Sequence, residues 1–303
     1  MDRLAAMALL VAAVDGGSLS AAGRRLGMPL ATVSRRITDL EAHLQTRLLN
    51  RSSRRLGLTD AGEDYLAACR RILETVDEAE RAAAGEFRAP RGTLVVTAPI
   101  VFGRLHLLPL ASQFLKAYPD VDLRLQLADR VVNLFDDHVD LALRIGALPD
   151  SSLIATRVAT IRRVVCASPA YLRRRGVPTH PEQLSAHDCV AFESRTAAPH
   201  WRFRADNSDL LVPLRARLAV NTAEAAIDAA IAGVGITAVL SYQVATAIAD
   251  GKLRRLLQKF EPAALPVSLV YAGGGRLPQK LRAFIDFVAP KLRARLAQDA
   301  GTD

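Results

Sequence analysis

The first 62 residues constrain this chain more than any other stretch. SLSAAGRRLGMPLATVSRRITDLEAHL (residues 18–44) has the periodicity of two short helices joined by a tight turn at Gly27. RLLNRSSRRLGLTDAG (residues 47–62) reads as a short arginine-rich hairpin that runs into a helix cap. A helix-turn-helix beside a basic wing is a device for reading duplex DNA, because a helix fits the major groove and arginine suits phosphates and the minor groove.

The local grammar supports that layout. Leu4, Met7, Ala8, Val11 and Val14 fall on one helical face, so a first amphipathic helix runs to about Val14 and stops at Gly16-Gly17. Ser18 or Ser20 caps a second helix over 21–26, which Gly27 closes. Ala21 and Ala22 are small enough for two helices to cross closely. A third helix starts near Leu30, with Val33, Ile37, Leu40 and Leu44 as its buried stripe. Thr32, Ser34, Arg35, Arg36 and Asp39 occupy the opposite face. Leu30, Ala31, Thr32, Arg35 and Arg36 stand toward the helix N-terminus, the end that enters a groove, with Ser18, Ser20 and Arg24 on the preceding helix. In the wing, Arg51, Arg54 and Arg55 bracket a turn at Ser52-Ser53.

Charge agrees with an anionic partner. The 303-residue chain carries a formal net charge of +9, and residues 1–58 hold nine arginines against four acids, a net +5 (9 − 4). A basic balance alone fits a solvated face or an anionic membrane surface equally well; the motif is what favours nucleic acid. The apolar start is too short for a membrane span, and Asp2 and an absent cleavage signal argue against a leader. Cys69, Cys166 and Cys189 are sparse and odd in number, which suits a reducing cytoplasm and a core role.

Thr59 caps a long helix expected over 61–87. Leu66, Cys69, Leu73, Val76 and Ala83 repeat at near-heptad spacing, interrupted by Glu80, so a second copy of the chain is the simplest partner for that seam. Packing against the chain's own C-terminal part is the alternative. Residues 89–92 (Ala-Pro-Arg-Gly) mark a boundary. Beyond it strands are expected at 94–97, 121–127 and 141–145, with helices at 101–118 and 131–137. That βαβαβ order predicts a parallel sheet covered by helices. A second group has strands at 164–167, 190–192, 201–204, 214–220 and 236–239, and helices at 169–174, 222–232 and 241–249. A strand at 267–271 and a helix at 278–295 return to the first sheet. Crossings near 160–163 and 262–267 make two lobes with a cleft between them.

These residues resemble the LysR-type transcriptional regulators over nearly the whole chain. Besides the N-terminal runs, YPDVDLRLQL, VDLALRIG and NTAEAAIDAAIAGVGITAVLSYQVA are similar to that family's effector domain. The resemblance implies an α/β protein in three parts: an all-α winged helix-turn-helix (1–59), a dimerising linker helix (60–89) and a two-lobed effector-binding domain like periplasmic binding proteins (90–303). Lobe I is expected over about 91–161 and 267–303, and lobe II over about 162–266. It implies a sequence-specific regulator at promoters, a homodimer or homotetramer, that responds to a small molecule and acts on RNA polymerase. Pro29 departs from the usual Ser or Thr cap, Leu49 from a common Phe and Gln45 from a common Gly.

In such a lobe a ligand sits where strand C-termini meet helix N-termini. The ends at Thr97-Ala98-Pro99-Ile100, Arg144-Ile145-Gly146 and Asn221-Thr222 are candidates. Their free N–H groups and the Arg144 guanidinium favour a small organic anion. The plainer alternative is that Arg144 pairs with Asp140 or Asp150 and Thr97 only ends a strand. No nucleotide, zinc-protease or serine-hydrolase motif is present, the six histidines are scattered, and GVG (233–235) and GGG (273–275) are wrongly placed for a dinucleotide. No enzyme activity, metal or cofactor is expected. A solute-binding protein and an architectural DNA binder without a ligand are the remaining alternatives.

Overall fold

A computed structural model describes the chain except for residues 1, 51–55, 84–88, 131–132, 135–136, 149–151, 193–199, 207, 274–276 and 301–303. Two compact units emerge, one of residues 1–92 with 277–279, the other of 93–276 with 280–303.

The first unit is built from α1 (Arg3–Asp15), α2 (Leu19–Leu26), α3 (Leu30–Leu44), the wing strands β1 (Leu49–Asn50) and β2 (Gly57–Leu58), and the long helix α4 (Asp60–Ala83). Ser18, not Ser20, caps α2, since its hydroxyl accepts the Ala21 N–H at 3.1 Å; Ser20 lies inside the helix. The turn into α3 is tight for two reasons. Gly27 adopts a left-handed φ of 64°. A Cβ on Gly23 would stand 2.6 Å from the Met28 carbonyl, so only glycine fits. Val33, Ile37 and Leu40 of α3 are buried with Leu9, Leu10, Ala13 and Ala22, which is the expected stripe.

The α4 seam differs from expectation at its start. Leu66 and Cys69 belong to the same apolar core as α1 and α3, so they are not available to a second copy. Arg70, one residue on, pairs with Asp15 at the end of α1. Nearness in sequence to the helix-turn-helix decides this, because the first turns of α4 close over α1. Leu73 and Val76 are half-buried, and Ile72, outside the expected stripe, is exposed. Ala83 is the last described residue of α4; its side chain, and the expected continuation to 87, lie outside the described residues.

In the second unit, β3 (Gly92–Ala98) leads into α5 (Ile100–Phe102), a π-helical segment (Gly103–Leu107) and α6 (Leu108–Ala117). This is the one helix expected over 101–118, with a π-bulge in its course. Then come β4 (Val121–Leu127), β5 (Leu141–Ile145) and β6 (Leu153–Ile161). The expected helix at 131–137 falls largely outside the described residues. A second group follows: β7 (Arg163–Ala167), α7 (Pro169–Arg175), β8 (Cys189–Phe192), β9 (His200–Ala205), β10 (Ser208–Pro213), β11 (Ala216–Val220), α8 (Ala223–Ile231), β12 (Ile236–Leu240), α9 (Ser241–Ala249) and β13 (Arg254–Leu256). The chain ends with β14 (Leu265–Ala272) and α10 (Gln279–Ala300).

Two five-stranded sheets result, ordered β4-β3-β5-β14-β6 and β11-β8-β12-β7-β13. The first is mixed, not parallel. β3 and β5 run parallel, but β14 is antiparallel to both β5 and β6. The physical reason is topological: β14 re-enters this sheet from the second one instead of by a helical crossover within it, so it is the strand that runs against β5 and β6. In the second sheet alternate residues serve opposite faces. Val165, Ala167, Cys189 and Ile236 face the side of Tyr171 and the β9–β10 hairpin, while Val164, Cys166, Val190 and Val239 face α8 and α9.

Leu66→Ala is expected to cost about 2–4 kcal/mol of stability, read from denaturant unfolding, and to leave the oligomeric state at sedimentation equilibrium unchanged. Dissociation without destabilisation would instead put Leu66 in an interface between copies.

Candidate nucleic-acid interface and effector cleft

At the DNA-reading end, α3 presents Leu30, Ala31, Arg35 and Arg36 exposed, with Thr32 and Ser34 half-buried beside them. Arg24 is exposed on α2. Pro29 gives α3 no side-chain cap, and its carbonyl accepts the Thr32 and Val33 N–H groups at 2.9 and 3.1 Å. Proline's fixed φ, −61° here, starts the helix without that bond. The first turn of α3 therefore presents its positive end with no acidic residue in it.

The wing is a two-stranded antiparallel pair with Leu49 opposite Leu58 and Asn50 opposite Gly57. Asn50 Nδ2 donates to the Leu58 carbonyl at 2.8 Å. Arg51, Arg54 and Arg55 lie outside the described residues. Thr59 caps α4 by accepting the Gly62 N–H at 3.0 Å and donates its own hydroxyl to the Arg47 carbonyl at 2.7 Å.

In the second unit the lobe I candidates adjoin one another. Val96 and Thr97 of β3 pair with Leu141 and Ala142 of β5, so the C-terminal ends of both strands open side by side. Thr97 and Ala98 are buried, and the Ala98 carbonyl accepts from Ala128. Pro99 starts α5. The Ile100 N–H is occupied: it donates to the Asp129 carboxylate at 3.0 Å. Gly146 takes a φ of 114° and donates its N–H to the Pro266 carbonyl at 2.9 Å. Arg144, opposite Ser268, has its pKa lowered by burial, while the Asp137 carboxylate favours its charge. Asp140, one of its expected partners, accepts the Val95 N–H at 2.7 Å; Asp150 lies outside the described residues.

Lobe II brings Thr222, whose hydroxyl caps α8 by accepting the Ala225 N–H at 3.3 Å, and exposed Asn221. The lobes meet nearby. Arg104, in the π segment, lies 3.8 Å from Glu224, two residues past Thr222. Tyr242 of α9 sits edge-on to Phe102 and His106, with centroids 5.3 and 5.4 Å away. Burial raises the Tyr242 pKa, and the Asp129 and Glu224 carboxylates raise it further, so this hydroxyl stays protonated. Arg104, Asp129, Glu224, Phe102, His106 and Tyr242 were not legible as site residues. The only available signal was the missing Ser or Asp before Ile100, since the cap arrives from 29 positions away.

This two-part layout is matched by known proteins. Residues 4–63 match the family described as bacterial regulatory helix-turn-helix protein, lysR family, and residues 87–293 match the LysR substrate binding domain. The chain belongs to the LysR family of transcriptional regulators. An HTH-type transcriptional regulator of Xanthomonas campestris is 36% identical over 94% of this chain and 84% of its own length. A transcriptional repressor of Pseudomonas aeruginosa is 37% identical over 95% and 92%. Among solved structures, the LysR-type regulator CrgA of Neisseria meningitidis is 32% identical, covers 95% of this chain and 98% of its own, and has a TM-score of 0.61. The Vibrio cholerae virulence activator AphB gives 28%, 94% and 98%, with a TM-score of 0.59. As a member of this family the chain is a regulator with a DNA-binding head and an effector-binding domain.

The three cysteines are buried, as their composition suggested, and burial pushes their thiols up, Cys69 to about 11 and Cys166 and Cys189 to about 12. At pH 8 about one Cys69 thiol in a thousand is then ionised, against about a quarter for a free cysteine. Iodoacetamide at pH 8 is therefore expected to leave all three unmodified in the folded protein and to modify them in denaturant, as read by mass spectrometry.

Proposed function

We propose that the first unit reads a promoter sequence through α3 and the wing, and that a small organic anion held between the lobes of the second unit controls it. The observation that carries the DNA part is the clean division of α3. Its buried stripe is spent on the core, and Arg35 and Arg36 stand free of it beside an uncapped helix start. Arginine bonds a guanine edge bidentately, and the helix N-terminus takes a phosphate. The exposed apolar Leu30 and Ala31 suit a thymine methyl. Arg51, Arg54 and Arg55 then supply phosphate or minor-groove contacts beside the major groove.

A second copy supplies the second reading head, with Leu73, Val76 and Ile72 of α4 as the remaining apolar face. Dimers or tetramers, RNA polymerase as the responding machinery and a cytoplasmic location complete the reading. For the last, the support is that no single described helix is long and apolar enough to cross a membrane; α1 and α2 reach that length only as a pair bent by 119°.

The effector part rests on the Ile100 N–H. It already holds a carboxylate, that of Asp129, so the place suits an anion sterically and electrostatically. An anionic ligand competes with Asp129 there, with Arg144, Asn221 and Thr222 as the further candidate contacts and Thr97 buried at the end of β3. A ligand with about 100-fold preference for one lobe arrangement shifts the equilibrium by about 2.7 kcal/mol per site, which alters the spacing of the reading heads.

Fluorescence anisotropy on DNA from upstream of its own gene, against scrambled DNA, is the direct test. Arg35→Ala or Arg36→Ala is expected to lower discrimination by about 1–3 kcal/mol, and unchanged discrimination in both removes them from base reading. Arg54→Ala is expected to weaken binding to all DNA and to flatten the salt slope by about one. For the effector, calorimetric titration with a panel of organic acids is expected to yield at least one ligand tighter than millimolar; a silent panel refutes the anion.

A further inference from the structure

We infer that Glu41 is a positioning residue for DNA binding: its buried carboxylate ties the base of the wing to the helix that reads the major groove. Glu41 lies near the C-terminal end of α3 and is buried. One of its oxygens, Oε1, accepts two backbone N–H groups, those of Leu48 at 2.9 Å and Leu49 at 3.1 Å. Both donors belong to buried residues, Leu48 immediately before β1 and Leu49 as its first residue. A buried side-chain oxygen that accepts two backbone N–H groups satisfies two donors that burial would otherwise leave unpaired. Two bonds to successive residues fix the direction in which the strand leaves α3, where one bond leaves a rotation open.

The other side of the wing base is held by α4. The Leu48 carbonyl accepts the Thr59 N–H at 3.0 Å, and a Cβ on Gly62 would stand 2.1 Å from that carbonyl oxygen. Leu48 is thus gripped through its N–H by α3 and through its C=O by α4. Of these contacts the Glu41 pair is the one that joins the wing to α3. The backbone of Glu41 also closes α3, since its carbonyl accepts the Thr46 N–H at 3.1 Å while Gln45 turns left-handed. One residue therefore sets where the recognition helix ends and where the wing begins. None of this touches DNA directly; Glu41 acts through the geometry between two DNA-facing elements.

The inference rests on the proposed wing contact, and a mutant cycle in the full-length protein separates the two. Arg54→Ala alone tests the wing: no loss of affinity there refutes the wing contact and leaves the tie between Glu41 and Leu48–Leu49 standing. Glu41→Asp, one methylene too short to reach both N–H groups, is expected to weaken specific DNA binding about tenfold and to lower the salt slope. Adding Arg54→Ala to it is expected to change affinity less than twofold, while adding Arg35→Ala keeps its full effect. Glu41→Gln retains the accepting oxygen and is expected to bind within about threefold of the parent. Multiplicative effects of Glu41→Asp and Arg54→Ala, or a Gln variant as weak as the Asp variant, overturn the inference. A measurement on the unmodified protein guards against a variant that does not fold. By hydrogen exchange, the Leu48 and Leu49 amides are expected to be protected like those of the buried turns of α3, and loop-like exchange at both overturns the tie.

Discussion

The DNA-binding end depends on how two backbone groups of Leu48 are held. Its N–H is bonded to a carboxylate from α3, and its carbonyl to an amide at the start of α4. Because Gly62 carries no side chain, α4 comes close enough to make that second grip. Once Leu48 is fixed, the wing, the recognition helix and the long helix have one mutual arrangement. The apolar core of α1, α3 and α4 then fills the space behind them, and this is why Leu66 and Cys69 are used internally.

The second unit solves a different problem. Two sheets share a chain that crosses between them twice, out through β6 and back through β14. Those crossings make β14 antiparallel within a sheet whose first members, β3 and β5, are parallel. The parallel pair keeps its strand ends open toward a helix start, where the Asp129 carboxylate sits on the Ile100 N–H. A mixed sheet thus still offers the strand-end arrangement that suits a ligand.

Legibility followed the range of the interactions. The α3 stripe, the Thr59 cap and β5 were readable, and the α2 cap was narrowed to Ser18 or Ser20, because each is set within a few residues, by periodicity or by a side chain three positions away. The expected α9 range, 241–249, agrees with the element for the same reason. β6 was not readable: LIATRVATI mixes burial without a clean alternation, and its place comes from pairing with β14 more than a hundred residues on. The α4 heptad misled at Leu66 and Cys69 because a periodic face states that something covers it, not what does. Among the candidate effector residues, Thr97 and Thr222 were recognisable as ends of elements, whereas Asp129, Arg104 and Tyr242 reach the seam through the tertiary fold alone.

That seam combines a half-exposed ion pair with a buried aromatic cluster. Its ion pair, Arg104 with Glu224, is 3.8 Å long and about half exposed on both sides, so it contributes at most about 1 kcal/mol. The edge-on contacts of Tyr242 with Phe102 and His106 add about 0.5–1.5 kcal/mol each beyond simple burial. Phe102, His106 and Tyr242 are themselves buried, so their apolar contact adds to both contributions, and a ligand preference of about 100-fold, or about 2.7 kcal/mol, acts against that total. The ion pair is the part of the seam that an incoming anion exchanges at least cost, because it is half exposed, and its Glu224 stands two residues past Thr222 at the start of α8.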